Sequence, residues 1–168
     1  MDEWAGLRTA VVVVSWLTVL GGLTLAITWF VRGGGRAVGP EDEGLEDVAG
    51  QHARGRSNRA AVTSFSVAQV ATHGLLGVLT AALVTYGAVR DSDRSTGYIA
   101  ILAAIAVTAV PGIVMFRKWR TNTRPAVSTA VAPTSGRVED HIPRAVVYGH
   151  GLGAAAIAGL VLVLLIVD

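Results

Sequence analysis

Residues 64–89 constrain the fold most, because they are predominantly apolar and long enough to cross a bilayer as a helix. Within this stretch His73 is the one residue of a type that can ionise near neutral pH. Similar apolar runs occupy residues 10–31, 97–116 and 145–167. Backbone polar groups in hydrocarbon must be satisfied within their own segment, so each span is expected to be a helix. The sequence predicts an all-α, integral-membrane four-helix bundle that forms a single domain over residues 1–168.

The composition supports a membrane protein and argues against several other classes. Apolar residues make up 52% of the chain, charged residues make up 15%, and the net charge is only +2. Most basic residues lie beside the spans, a pattern that reflects membrane orientation rather than nucleic-acid binding. There is no cysteine, so disulfides and thiolate metal sites are excluded. The expected surroundings are therefore the lipid bilayer, and no nucleic-acid partner is predicted.

Two polar segments, residues 32–60 and 121–143, are predicted to be mobile loops because they hold too few apolar residues to fold alone. The connections after the first and third spans carry 11 Lys and Arg, against 3 in the N-terminal segment and the second connection. The positive-inside rule then places both long loops in the cytoplasm and both termini outside. The chain is expected to be a multi-pass protein of the plasma membrane.

The two halves of the chain share a pattern. Each half has a span that ends in an aromatic residue and Arg, then a long polar segment, then a span that contains His-Gly-Leu, at residues 73–75 and again at residues 150–152. This arrangement indicates a 2+2 parallel repeat about an axis along the membrane normal. Chance remains the alternative explanation, because Gly and Leu are abundant in such helices.

His73 and His150 are the candidate site residues. At about 1.5 Å per residue, both lie roughly 8–14 Å inside the same half of the bilayer. Ionisable residues at such depth face the bundle interior and suggest function. Small neighbours leave space for a flat ligand, and a polar residue shares the face of His73; these residues are Gly74, Gly149, Gly151 and Gln69.

Three functions are compatible with this pattern. The favoured one is a non-catalytic accessory or interaction subunit, bound to other membrane subunits or to itself, in which His73, His150 and Gln69 are interhelical hydrogen-bond donors and no cofactor is needed. The second is a b-type haem electron carrier with His73 and His150 as axial ligands. The arrangement of histidines on helices resembles that of membrane b-type cytochromes, over two spans only.

The third function is a small oligomeric transporter or channel, in which a histidine relays protons. No embedded carboxylate of the kind that cation-coupled carriers need lies within a span. An enzyme is not expected, because the spans contain no Ser/His/Asp set, no HExxH motif and no paired carboxylates. No separate metal site is predicted.

Overall fold

The computed structural model describes residues 4–34, 63–90, 94–122 and 138–167, and within these ranges the chain is helical and contains no strand. Its elements are α1 (Ala5–Val31), α2 (Val67–Val89), α3 (Arg94–Asn122), a 3₁₀ turn (Val138–His141) and α4 (Arg144–Val167). The predicted all-α architecture with four long helices is confirmed.

All four helices are long and apolar enough to cross a membrane. Their outer faces carry large apolar side chains: Leu75 is 62% exposed, Val110 63% and Leu152 71%. Surfaces of this kind are stable in lipid rather than in water. The prediction of a multi-pass membrane protein is therefore supported by both the length and the surface of the helices.

Two helices extend beyond the predicted spans. α1 begins at Ala5 rather than at residue 10, and α3 continues through its charged last turns to Asn122 rather than ending at residue 116. Hydropathy marks the part of a helix that suits hydrocarbon, whereas the helix itself ends where backbone hydrogen bonding ends. Hydropathy therefore does not detect the polar turns at the ends of α1 and α3.

The order of the helices around the bundle follows from their contacts. α1 packs against α2 and α4, and α3 packs against the same two helices. α1 and α3 are therefore diagonal partners, as are α2 and α4. This order brings the two histidine-bearing helices, α2 and α4, face to face across the bundle axis.

Buried side chains form two apolar clusters at opposite ends of the bundle. The first cluster contains Val11, Val84, Tyr98, Ile101, Ile157, Val161 and Leu164. The second cluster contains Trp29, Phe65, Val70, Trp119, Val138 and Ile142. His73 and His150 lie between these two clusters along the bundle axis. Both imidazoles are therefore placed between two apolar layers.

The glycine run after α1 begins as a helix cap rather than as free loop. The Gly33 N–H donates to the Phe30 carbonyl at 3.0 Å and the Gly34 N–H to the Trp29 carbonyl at 2.9 Å. Gly33 has a φ of 95°, the left-handed conformation in which glycine is favoured. A Cβ at Gly34 would overlap the Trp29 indole. Both glycines therefore have a structural role at the end of α1.

The end of the second polar segment is also folded. The 3₁₀ turn over Val138–His141 buries Val138 and Glu139 under the bundle. Residues 138–143 thus belong to the packed structure, although the sequence assigned them to a mobile loop. The rest of both predicted loops, residues 35–60 and 123–137, lies outside the described residues.

Candidate functional site

The two intramembrane histidines meet at the centre of the bundle. The ring centroids of His73 and His150 are 5.9 Å apart and the ring planes are inclined by 87°. Both side chains are half-buried. Because α2 and α4 are diagonal partners, the rings approach each other across the axis, and each ring also contacts a neighbouring helix that carries no histidine.

His150 is held by α1. Its Nδ1 lies 2.9 Å from the backbone carbonyl oxygen of Thr18. A carbonyl only accepts hydrogen bonds, so the Nδ1–H donates. Gly22 lies one turn further along α1, and a Cβ there would be 2.9 Å from the ring carbon Cε1. Glycine therefore opens the helix surface to the imidazole; we call His150, Thr18 and Gly22 the His150 site.

His73 is held by α3 in the same way. Its Nδ1 donates to the backbone carbonyl of Thr108 at 3.2 Å. A Cβ at Gly112 would lie 2.8 Å from the ring carbon Cε1. We call His73, Thr108 and Gly112 the His73 site. In both sites a Thr and a Gly four residues later receive an imidazole from the adjacent helix.

This anchoring defines the hydrogen-bonding character of both rings. A neutral imidazole with its proton on Nδ1 presents a lone pair on Nε2. Throughout the described part of the chain, Nε2 of neither His73 nor His150 takes part in a hydrogen bond. Donation from one ring nitrogen to a backbone carbonyl is also the arrangement that orients metal-binding histidines. The pair therefore offers two oriented nitrogen acceptors inside the bundle.

The two sites differ in what surrounds them. Beside His73, the Thr108 hydroxyl lies 2.9 Å from the Thr80 hydroxyl, which adds a second polar link between α2 and α3. Beside His150, a groove of about 300 Å³ runs between α1 and α4. Its walls include Gly21, Gly149 and Gly153. The His73 site thus has an additional polar contact between helices, and the His150 site borders a glycine-lined groove.

The glycines predicted to flank a ligand are not beside the rings. A Cβ at Gly74 or Gly151 would meet open space, and both residues are exposed on the outside of the bundle. Gly149 has equally open surroundings but lines the groove between α1 and α4. Adjacent residues on an α-helix point about 100° apart, so neighbours of an inward histidine face elsewhere.

Gln69 caps a helix. Its side-chain Oε1 accepts the Ser66 backbone N–H at 3.1 Å, and the Ser66 hydroxyl accepts the Gln69 N–H at 3.1 Å. These reciprocal bonds form a capping box at the start of α2. The Ser-x-x-Gln pattern in the sequence was a signal of this role.

Sequence reasoning missed the residues that hold the rings, because they lie on other helices. The structure brings Thr18 and Gly22 to His150, and Thr108 and Gly112 to His73. The only signal in the sequence was the Thr-x-x-x-Gly spacing in the first and third spans. That spacing is common in membrane helices, so it identifies no site alone.

A second polar group lies beneath the histidines, beside the second apolar cluster. The Trp29 indole N–H donates to the Thr63 hydroxyl at 2.9 Å, and that hydroxyl donates to Glu139 Oε1 at 2.5 Å. The Ser64 N–H donates to the same oxygen at 2.7 Å. Glu139 is only 1% exposed. This Glu139 network ties together the end of α1, the approach to α2 and the turn before α4.

The chain matches no protein-family model, no curated protein and no solved structure.

Proposed function

We propose that the protein is a non-catalytic integral plasma-membrane protein, an accessory or interaction subunit, whose histidines fasten its helices. One observation carries the proposal: each imidazole donates to a backbone carbonyl of the adjacent helix and packs against a glycine of that helix. A donor without a partner in hydrocarbon is costly. Interhelical hydrogen bonds in membranes contribute roughly 0.6–2 kcal/mol each. His73 and His150 thus have a structural use that requires no ligand.

Matched substitutions test this fastening role. The side-chain amide nitrogen of Asn occupies the position of histidine Nδ1, so His73→Asn and His150→Asn retain the donor. His73→Leu and His150→Leu remove it. We expect the Asn variants to unfold in detergent close to the parent protein and the Leu variants to lose about 1–2 kcal/mol each. Equal losses in the Asn and Leu variants would contradict the fastening role.

The role as a subunit is tested separately. A tagged protein extracted from its native membrane in mild detergent is expected to migrate as a complex larger than the isolated chain. Mass spectrometry of that complex should give other membrane proteins, or further copies of this chain, in fixed proportion. A chain that migrates alone, both before and after cross-linking in the intact membrane, would overturn the proposal.

The proposed orientation places both termini outside and both long loops in the cytoplasm. Exposed basic side chains gather at the end of the bundle that holds the second apolar cluster, where the positive-inside rule predicts the cytoplasm. These residues are Arg32, Arg117, Lys118, Arg120 and Arg144. Because the chain has no cysteine, single-cysteine labelling is clean. An impermeant maleimide should label Val89→Cys in intact cells and should label Thr121→Cys only after lysis.

A parallel repeat of two helices remains the proposed origin of the bundle. It is supported by the equivalence of the His73 and His150 sites, each of which joins the second helix of one half to the first helix of the other. Trp29 and Trp119 are likewise both buried, at matching positions of α1 and α3. The repeat explains why the two histidines reach the same level from opposite sides.

The second candidate function is b-type haem binding by His73 and His150, which would supply one-electron redox chemistry. The donors suit it, because both rings are oriented through Nδ1 as in metal-bound histidines. The two ring centroids lie 5.9 Å apart, so both imidazoles could hold one group between α2 and α4.

The space for a macrocycle is less favourable, and haem therefore ranks second. The groove between α1 and α4 reaches His150 but not His73. Both rings pack directly against the backbone at Gly22 and Gly112. A macrocycle between the rings would require the helices to move apart.

A visible spectrum decides this candidate. Protein purified from haem-sufficient cells would show a Soret band that shifts on dithionite reduction, and His73→Asn and His150→Asn would lose it. A colourless parent protein that also takes up no added haemin would remove the haem function. The fastening role would be untouched by that result, because it depends on Nδ1 alone.

A further inference from the structure

The end of α3 and the start of α4 meet in an aromatic contact. The ring centroids of Phe116 and Tyr148 lie 6.0 Å apart, and the Tyr148 ring also lies 5.9 Å from that of Trp119. Trp119 is buried, whereas Tyr148 is 50% exposed. The contact therefore sets residue 116 of α3 beside residue 148 of α4 and leaves an aromatic ring at the surface. We call this place, marked by Phe116 and Tyr148, the α3–α4 seam.

Two arginines lie one helical turn beyond the aromatic contact. Arg120 follows Phe116 by four residues and Arg144 precedes Tyr148 by four residues. Residues four apart lie on the same face of a helix. α3 ends and α4 begins at the end of the bundle that holds the second apolar cluster, so both steps lead towards that end. Arg120 and Arg144 are thus placed at one level, on the two sides of the α3–α4 seam.

The protein does not neutralise these two charges. Both side chains are exposed, and neither guanidinium forms an ion pair or a hydrogen bond within the described part of the chain. The first turn of α4 contains no acidic residue, and the buried carboxylate of Glu139 is engaged in its own network. At the other end of the bundle, by contrast, the Arg90 guanidinium lies 5.1 Å from the centre of the Tyr86 ring. Two unpaired cations beside one seam are complementary to an anion.

The surroundings of the arginines indicate which anion fits. Further into the bundle, the same side of α3 carries Ile113, which is 56% exposed, next to the aromatic contact. A phospholipid has its phosphate at the level of the helix ends and its acyl chains beside apolar side chains. The planar guanidinium of Arg pairs with phosphate through two parallel hydrogen bonds. A membrane lipid thus matches the charged and the apolar part of the seam together.

We propose that the α3–α4 seam binds an anionic phospholipid of the bilayer, with the phosphate between the guanidiniums of Arg120 and Arg144. An acyl chain lies beside Phe116 and Tyr148. The site takes phosphatidylglycerol in preference to phosphatidylcholine, because the quaternary ammonium of phosphatidylcholine cancels the phosphate charge. The lipid thereby joins the end of α3 to the start of α4.

A pair of matched double variants tests the location. Phosphatidylglycerol is titrated into the protein in a zwitterionic detergent, and native mass spectrometry counts the bound lipids. Arg120→Gln with Arg144→Gln should weaken binding about tenfold. Arg117→Gln with Lys118→Gln removes the same charge from the same end of α3, on faces turned away from the seam, and should weaken binding less than about threefold. All four side chains are exposed, so both double variants are expected to fold.

A change of ligand tests the chemistry. Phosphatidylcholine with the same acyl chains should bind the parent protein about tenfold more weakly than phosphatidylglycerol. Equal affinity for the two lipids would overturn the charge preference. Equal losses in the two double variants would overturn the seam, because diffuse attraction to basic residues would then explain the binding. Displacement of phosphatidylglycerol by an equal concentration of inorganic phosphate, or of a poly-glutamate peptide, would overturn the assignment to a lipid.

Discussion

The His150 site and the His73 site use the same contact in different surroundings. In each, an imidazole Nδ1–H donates to a threonine carbonyl of the adjacent helix. The ring packs against a glycine that lies one turn after this threonine on the same helix. The His73 site adds a hydroxyl pair between Thr80 and Thr108, whereas the His150 site is bordered by a groove. The anchor thus occurs in both sites, whereas the hydroxyl pair is described beside His73 and the groove beside His150. We interpret the duplicated anchor as structural.

The strongest test of the shared anchor is to remove its glycines. In Gly22→Ala and Gly112→Ala, the new Cβ would lie within 3 Å of an imidazole carbon. The ring must then leave its carbonyl, at an expected cost of about 2–3 kcal/mol in the free energy of unfolding. Unfolding in detergent mixtures measures this cost.

Gly159→Ala is the control for these variants. A Cβ at Gly159 meets open space, and Ala favours helix, so no destabilisation is expected. The two anchors should respond alike. A large loss at Gly22 with none at Gly112 would break the equivalence of the two sites.

The two buried tryptophans extend the comparison to the second apolar cluster. Trp29 depends on the Glu139 network, whereas Trp119 packs against Phe116 and Tyr148, with ring centroids 5.7 and 5.9 Å away. Thr63→Val would remove the hydroxyl between Trp29 and Glu139 and should cost about 1–2 kcal/mol in detergent unfolding. Tyr148→Phe keeps the ring contact and should change stability by less than about 0.5 kcal/mol. Similar losses for the two variants would show that the tryptophans are held alike.

The smallest expected effect concerns the hydroxyl pair of the His73 site. Thr80→Val removes the bond to Thr108, and the expected loss in unfolding free energy is about 0.5 kcal/mol. Thr24→Val is the matched control, since among the described residues the exposed Thr24 hydroxyl bonds only to the carbonyl of Leu20 on its own helix. If the two variants are equally stable, the hydroxyl pair contributes nothing to the difference between the sites.

Much of the fold could be predicted from the sequence because lipid imposes a simple rule of length and hydropathy. That rule located all four helices, and it failed at the polar ends of α1 and α3, which run further than the apolar runs. It also missed the 3₁₀ turn at Val138–His141. This turn is held by the burial of Val138 and Glu139, which depends on tertiary contacts that no local pattern expresses.

The site was predictable in depth but not in detail. Counting residues from the span ends placed His73 and His150 at one level, and the structure brings their rings together. The flanking glycines were chosen by sequence adjacency, whereas the glycines that touch the rings, Gly22 and Gly112, lie on neighbouring helices. Which helix faces which is decided by packing around the whole bundle, so these partners could not be read from local spacing.

The anchors cross between the halves: His150, in the second half, bonds to α1, and His73, in the first half, bonds to α3. Neither half can complete an anchor from its own residues. Each supplies one imidazole and one receiving carbonyl, so two fragments separated between Arg90 and Arg94 would be incomplete alone and complementary together. The connection between the halves keeps them close together, whereas the contacts by which they recognise each other lie in the helices.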